Sequence, residues 1–412
     1  MAIQGPMTGI RVLELGNMVA PDTCTRMMAD LGAEVIKVEN TAGGDNFRVW
    51  ARAISAPIQE DFNPIFDNLN ANKKSISLDL KTPEGLAVLG RLLETADIFI
   101  TNVRNKSLVK MGLDYDSLKL KYPALVVGQL EAYGPKGPEK EKPGYDNTAF
   151  WARSGFLYSQ KVDRPGESEA YPVYMPMGVG DISCAMAMMA GCNAALLKAR
   201  ETGVGDHITV PLYGTALYMC NILICGTQFG YYYPRSRFSS SPFGAQYCCA
   251  DGRWFMPQVV NLAKDGRAFF EVLGCDDYLE DPAYMVRGNY NNMEFNTPVI
   301  TRLEKIFATK TADEWCELFK ARDLCFEKLF TYEEVLEDEQ AIVNDYVHTL
   351  EYPNGETVKT IRPSIRSRNT GLPEIKPGPK LGADTVEIMR GAGFDEETIR
   401  AYLEKGVARQ HD

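Results

Sequence analysis

Two short apolar segments, IRVLEL (Ile10–Leu15) and EVIKVE (Glu34–Glu39), flank an amphipathic stretch that runs through Met27 and Met28 to Leu31-Gly32. Strand, helix and strand in that order make a βαβ unit, whose right-handed crossover leaves the two strands parallel. Ligands of parallel sheets bind at the carboxyl ends of the strands, which directs attention to the turn Gly16–Pro21. That turn lacks the G-x-G-x-x-G spacing of a dinucleotide site, which argues against a nicotinamide oxidoreductase, although Glu39 ends the second strand where a ribose-binding acid would stand.

The alternation continues with SISLDL (Ser75–Leu80), a helix from about Pro83 to Thr95 opened by Thr82 as N-cap, DIFIT (Asp97–Thr101), a helix near Tyr115 and ALVVGQL (Ala124–Leu130). YGPKGPEKEKPGYD (Tyr133–Asp146) is rich in turn formers and reads as a loop at the carboxyl edge of the sheet. From Ile182 to about Arg200 apolar residues occupy nearly the whole helical circumference, which predicts a buried helix with Asp181 at its N-cap. HITVPL (His207–Leu212) follows as a strand, the rhythm breaks between about Gln228 and Pro257, and EYPNGETVKTIRPSI predicts a hairpin turning at Asn354-Gly355. A chain of 412 residues exceeds one ordinary core. The expected fold class is α/β: a Rossmann-like large domain with a parallel sheet over residues 1–225 and 330–412, and a smaller α+β domain over 226–329.

A formal charge of −11 argues against nucleic-acid and anionic-membrane partners. MAIQGPMTGIRVLEL lacks the features of a signal peptide, and the longest apolar stretch, near Ala216–Cys225, is too short to span a bilayer, so a cytoplasmic location is expected. The ten cysteines are scattered without a CxxC pair and read as reduced thiols. Only His207, His348 and His411 are available as imidazole ligands, none in metal-ligand spacing, and no metal is expected.

Asp181 follows Val179-Gly180 at the opening of an apolar helix, where the dipole and free N–H groups would keep its carboxylate ionised as a nucleophile. A structural N-cap has the same pattern, and residue types leave both readings open. Asp146, beside Tyr145 in PGYDNTAF, is a second acid that could orient it; an Asx-turn is the alternative. Arg104, Lys106 and Lys110 follow a strand and form either a phosphate-binding cluster or a solvated helix face.

Five segments together resemble the class III CoA-transferases: GIRVLELGNMVAPDTCTRMMADLGAEVIKVEN, NKKSISLDLKTPEG, ITNVRNKSLVKMGLDYDSLKLKYPALV, GVGDISCAMAMMAGCNAALLKARETGVGDHITVPL and PKLGADTVEIMRGAGFDEETIRAYLEKGV. The resemblance implies that Asp181 attacks an acyl-CoA thioester, with coenzyme A a substrate and not a resident cofactor. It implies that Met18, Val19 and Ala20 line the CoA channel, with Leu78 and Lys81, with Asn102, Val103 and Arg104, and with Lys110 and Met111. Tyr145 and Asp146 would stand beside Asp181, and two open chains would interlock as a homodimer. Val19 stands where family members often carry a glutamine, so another donor must stabilise the oxyanion; SSSPFGA (Ser239–Ala245) is the nearest equivalent of the family's glycine-rich loop.

PEKEKPGYDNTAFWARSG and LEDEQAIVNDYVHTLEYPNGE look closest to the branch that serves amino-acid fermentation, exchanging CoA between an acyl- or enoyl-CoA and an (R)-2-hydroxy acid such as phenyllactate or 2-hydroxyisocaproate. Carnitine, bile-acid and formyl/oxalate transfer stay open within the family, as does a non-catalytic CoA-binding role. The 2-methylacyl-CoA racemase branch needs a histidine upstream of the aspartate, and none precedes Asp181.

Overall fold

The computed structural model describes residues 4–59, 61–162, 171–173, 175–231, 233 and 236–411. It divides into two compact units, one of Met1–Phe156, Met175–Ile224 and Glu339–Asp412 and one of Leu157–Tyr174 and Cys225–Asp338. Leu157–Tyr174 thus groups with the second unit, and the chain returns to the first at Glu339.

In the first unit the apolar runs become β1 (Arg11–Leu15), β2 (Glu34–Glu39), β3 (Lys74–Leu78), β4 (Ile98–Thr101) and β5 (Val126–Glu131), joined by the strands His207–Pro211 and Ala408–Arg409. The order across the sheet is Ala408–Arg409, β3, β2, β1, β4, β5, His207–Pro211. All neighbours are parallel except Ala408–Arg409, which runs antiparallel to β3. Sequence order therefore reverses between β1 and β4, and at such a switch point the loops after the two strands part and leave a crevice. The helix α1 (Val19–Asp30) crosses from β1 to β2, and the Thr82 hydroxyl accepts from the Gly85 amide at the start of the helix Pro83–Leu93. The hairpin lies where the Asn-Gly signal put it, between Val347–Glu351 and Thr357–Ile361, with Gly355 at φ 88°.

Under the carboxyl edge lies a fully buried cluster of charges. Lys37 on β2 faces its register partner Glu14 on β1 and ion-pairs with it. The same ammonium reaches Asp22 of α1 at 2.6 Å and Asp45 at 2.8 Å, while Lys73 bonds the other Glu14 oxygen at 2.8 Å. Burial alone would lower the Lys37 pKa, but Asp22, Glu14 and Asp45 outweigh it and hold the group raised well above its usual value. Burial pushes Glu14 up, yet Lys37 and Lys73 bring its carboxyl far below the ordinary carboxylate range. These three acids converge as a metal site would, and a lysine ammonium already bridges them.

The helix Val179–Thr202 corrects one expectation. Cys184, Ala185, Met188, Cys192, Ala195 and Leu196 are buried, and the helix packs on α1, β5 and the strand His207–Pro211. A stripe at helical spacing on another face, Met186, Ala187, Ala190, Ala194 and Leu197, is exposed in the single chain, so apolar character round the circumference did not mean burial round it. Length and composition alone would also let this helix cross a membrane, but its buried face is committed to the sheet.

The second unit has its own core, built on a three-stranded antiparallel sheet of Tyr247–Cys248, Trp254–Pro257 and Phe326–Lys328 under the helices Leu262–Val272, Met293–Phe307 and Ala312–Lys320. Phe243 is buried there with its ring edge-on to Phe269, Phe270 and Tyr290. This anchors SSSPFGA in an aromatic core.

Replacing Lys37 by Met strands three buried carboxylates without their shared counter-ion. The expected loss is about 3–5 kcal/mol of folding free energy, read from chemical denaturation of the variant against the parent.

Candidate active site

The turn after β1 is held from two sides. Asn17 and Asn102, the residues that follow β1 and β4 across the switch point, bond reciprocally: Asn17 N–H donates to Asn102 Oδ1 at 3.1 Å, and Asn102 Nδ2 donates to the Asn17 carbonyl at 2.7 Å. The Met18 amide donates to Asp45 Oδ1 at 3.0 Å, so the buried ionic cluster grips the turn directly. Met18 sits at φ 70°, ψ −157°, a left-handed-side conformation that costs a non-glycine residue roughly 1–3 kcal/mol. With Met18 so placed, α1 begins without a side-chain cap.

This turn forms one wall of a cavity of about 760 Å³. Met18, Val19 and Ala20 line it, as do Asn102, Val103 and Arg104 from the turn after β4, and Tyr145 and Asp181 from elsewhere in the chain. Leu78, Lys81 and Met111 line a separate pocket of about 230 Å³, and Asn17 contributes to both. Lys110 lines neither; it is exposed on the helix Asn105–Met111, as is Lys106.

Asp181 is not the N-cap. The cap is Gly178, at φ 76°, and Asp181 is the third residue of the helix. The amide-satisfying role belongs to Asp146: its Oδ2 accepts from the Gly178 amide and from Trp151 Nε1, both at 3.1 Å. Asp146 is buried at the start of a π-type turn, Asp146–Ala152, and lies so close to the helix that a Cβ on Gly180 would fall 2.0 Å from its Oδ1 and 2.5 Å from Phe150 Cγ. Glycine at 180 is therefore the condition for placing the two acids together. Tyr145 is 77% exposed and contributes to the cavity lining, with its amide donating to Thr148 Oγ1 at 2.9 Å.

Electrostatics reverse another expectation. Burial, followed by the like charge of Asp146, pushes the Asp181 carboxyl up to about 7, so the first turn of the helix does not hold it fully ionised at neutral pH. Burial also raises Asp146, against the opposing Trp151 indole and the amides of Gly178, Gly180 and Asp181. The Asp146 charge thus bears directly on the titration of Asp181. A carboxylate of this basicity, half-buried and facing a cavity, is a better nucleophile than a solvated one and is present in quantity at neutral pH.

Among the wall residues that the sequence reading did not assign to a site are Gln129, Glu131 and His207. Gln129 and Glu131 are polar positions near the end of an otherwise apolar β5, and their alternation on one side of the strand was the available signal. His207 Nε2 lies 3.1 Å from Gln129 Oε1, and its ring stacks on Tyr115 at 4.9 Å; burial lowers its pKa, favouring neutral imidazole.

Residues 7–385 match the family model described as "CoA-transferase family III". The chain is 40% identical over 98% of its length to (R)-2-hydroxy-4-methylpentanoate CoA-transferase of Clostridioides difficile, covering 99% of that protein. It is 38% identical over 97% to cinnamoyl-CoA:phenyllactate CoA-transferase of Clostridium sporogenes, covering 96% of it. Among solved structures, a CAIB/BAIF family protein from Brucella suis superposes with a TM-score of 0.77 at 26% identity, over 94% of this chain and 100% of that one.

A raised carboxyl pKa predicts that Asp181 gains its negative charge mainly between pH 6 and 8. Its carboxyl carbon, followed by isotope-edited NMR, should titrate with a midpoint near 7, and Asp146→Asn should move that midpoint down because the like charge is gone.

Proposed function

The chain belongs to CoA-transferase family III, and from that premise we propose that it moves coenzyme A from an acyl- or enoyl-CoA to an (R)-2-hydroxycarboxylate, with Asp181 as the covalent carrier. The observation that carries this reading is Asp181 itself: a half-buried carboxyl raised to about 7, in the cavity at the switch point of the sheet. The acceptor class follows from the activities named for two relatives of 38–40% identity, which act on 2-hydroxy acids with branched aliphatic and aromatic side chains.

The bonds made and broken involve only carboxylates, the thioester and the thiolate. An Asp181 oxygen attacks the thioester carbonyl, the C–S bond breaks, and CoA leaves as thiolate from a mixed anhydride. The thiolate attacks the aspartyl carbonyl, which expels the donor acid as carboxylate and leaves an Asp181–CoA thioester. The acceptor carboxylate then attacks this thioester and releases the thiolate again, which attacks the acceptor carbonyl and returns Asp181 as a free carboxylate. Each exchange conserves an activated acyl bond.

Val19 offers no side-chain donor, and the amides of the uncapped first turn of α1, on the same wall, are the groups we assign to the oxyanion. Asn102 fixes that turn through the Asn17 pair. Arg104, Lys140 and Lys142 are also on the lining; Lys142 is paired with Glu139, and we assign Arg104 and Lys140 to the CoA phosphates.

The chain would work as a cytoplasmic homodimer in amino-acid fermentation. Support for a second copy comes from the uncovered stripe Met186–Leu197 and from Tyr218 and Ile222, both about four-fifths exposed.

Incubation with an acyl-CoA alone, followed by hydroxylamine and peptide mass spectrometry, should give a hydroxamate at Asp181; an unmodified residue under demonstrated turnover would overturn the carrier role. Asp181→Ala should lose on the order of a thousandfold in kcat. Native mass spectrometry should give twice the chain mass, and a clean monomer would remove the dimer.

A further inference from the structure

Glu131 is the last residue of β5, opposite Pro211 in the sheet, and lines the same cavity as Asp181. Its Oε2 is buried and has no hydrogen-bond partner among the described residues. The wall it belongs to runs on towards Asp146 and Asp181. Its neighbour Ala132 lies against Gly144, where an added Cβ would come within 2.8 Å of Ala132 Cβ, and Gly144 leads directly into Tyr145 and Asp146. Glu141, in the loop before Gly144, lines the cavity as well.

Among the described residues no cation is ion-paired with Glu131. The nearby Lys142 and Arg153 are both engaged with Glu139, at 2.9 Å each, and burial and the negative Glu141 both push the Glu131 carboxyl above its ordinary range. A buried acceptor without a donor costs roughly 1–3 kcal/mol, which is recovered when a ligand supplies the donor. An acid that reaches Asp181 along this wall with a hydroxyl beside its carboxylate brings such a donor. An acid with a second carboxylate brings instead a charge of the same sign as two already there.

Resting on the acceptor class proposed above, we propose that Glu131, backed by Glu141, selects the acid: it accepts a hydrogen bond from the 2-hydroxyl group and turns away dicarboxylates. Sites that discriminate through a buried polar group left unpaired by the wrong substrate reach large ratios, whereas apolar pockets distinguish only weakly. The family relatives include succinyl-CoA:glutarate transferases, so the two kinds of acid are handled within one fold.

The test compares kcat/KM for 2-hydroxy-4-methylpentanoate, 4-methylpentanoate and glutarate in the parent, Glu131→Gln and Glu141→Gln. Glu131→Gln should lower the hydroxy-to-deoxy ratio about tenfold and raise the glutarate-to-deoxy ratio about tenfold. Glu141→Gln, on an exposed loop where folding is not at stake, should raise the glutarate ratio alone. If the parent uses 2-hydroxy acids and both ratios in Glu131→Gln stay within about twofold, the role of Glu131 is overturned while the proposed function stands. A rise in KM for the thioester with unchanged acid ratios also overturns it, assigning Glu131 to the pantetheine arm. A parent that transfers CoA to other acids but to no 2-hydroxy acid overturns the acceptor class itself, and the hydroxyl role with it.

Discussion

The ammonium of Lys37, withdrawn from water between Glu14, Asp22 and Asp45, ties β1, β2, α1 and the turn after β2 to one point. Desolvating so many charges offsets much of their attraction, and an apolar cluster of equal volume could match it in stability. Direction is what the ions add. Asp45 has one oxygen on Lys37, and with the other it receives the amides of Met18 and Phe47, so its position is inherited by the wall of the cavity. Glu39, at the end of β2, receives the Asp45 amide and a two-point contact from Arg48, extending the same framework along the carboxyl edge. Its place is structural here, and not that of a ribose-binding acid.

What could be read from the sequence was whatever depends on near neighbours. The βαβ unit, the Thr82 cap and the Asn354-Gly355 hairpin are decided within a few residues, and each formed as periodicity and turn chemistry require. Asp181 was recognisable as a residue, but its place in the helix was not. The cap depends on a left-handed Gly178 whose amide is received by Asp146, which is remote in sequence. Its titration was equally hidden, because burial and the Asp146 charge are tertiary facts. The exposed stripe Met186–Leu197 shows a related limit: apolar residues are counted alike whether the surface that covers them lies in the same chain or in another. Glu131 passed unremarked because a polar residue closing an apolar strand looks like an ordinary strand end.

Two acids brought together from different elements have been given opposite surroundings. Asp146 is supplied with amide and indole donors, whereas the causes acting on Asp181 are burial and its neighbour's charge, with no offsetting donor among the described residues. Placing the donors on the partner leaves the cavity-facing acid basic, and a basic carboxylate is the form that attacks a thioester. Gly180 is what permits this asymmetry, since any side chain there would separate the pair.

Met18 keeps a backbone geometry that glycine would adopt without strain. Glycine there would relieve the strain, but it would also free the unfolded chain and widen the conformations open to the turn, while removing a side chain from the cavity wall. Relief of strain and selection for a fixed first turn pull this residue in different directions, so a stabilised version of the enzyme built from helix caps and surface charges should leave position 18 untouched.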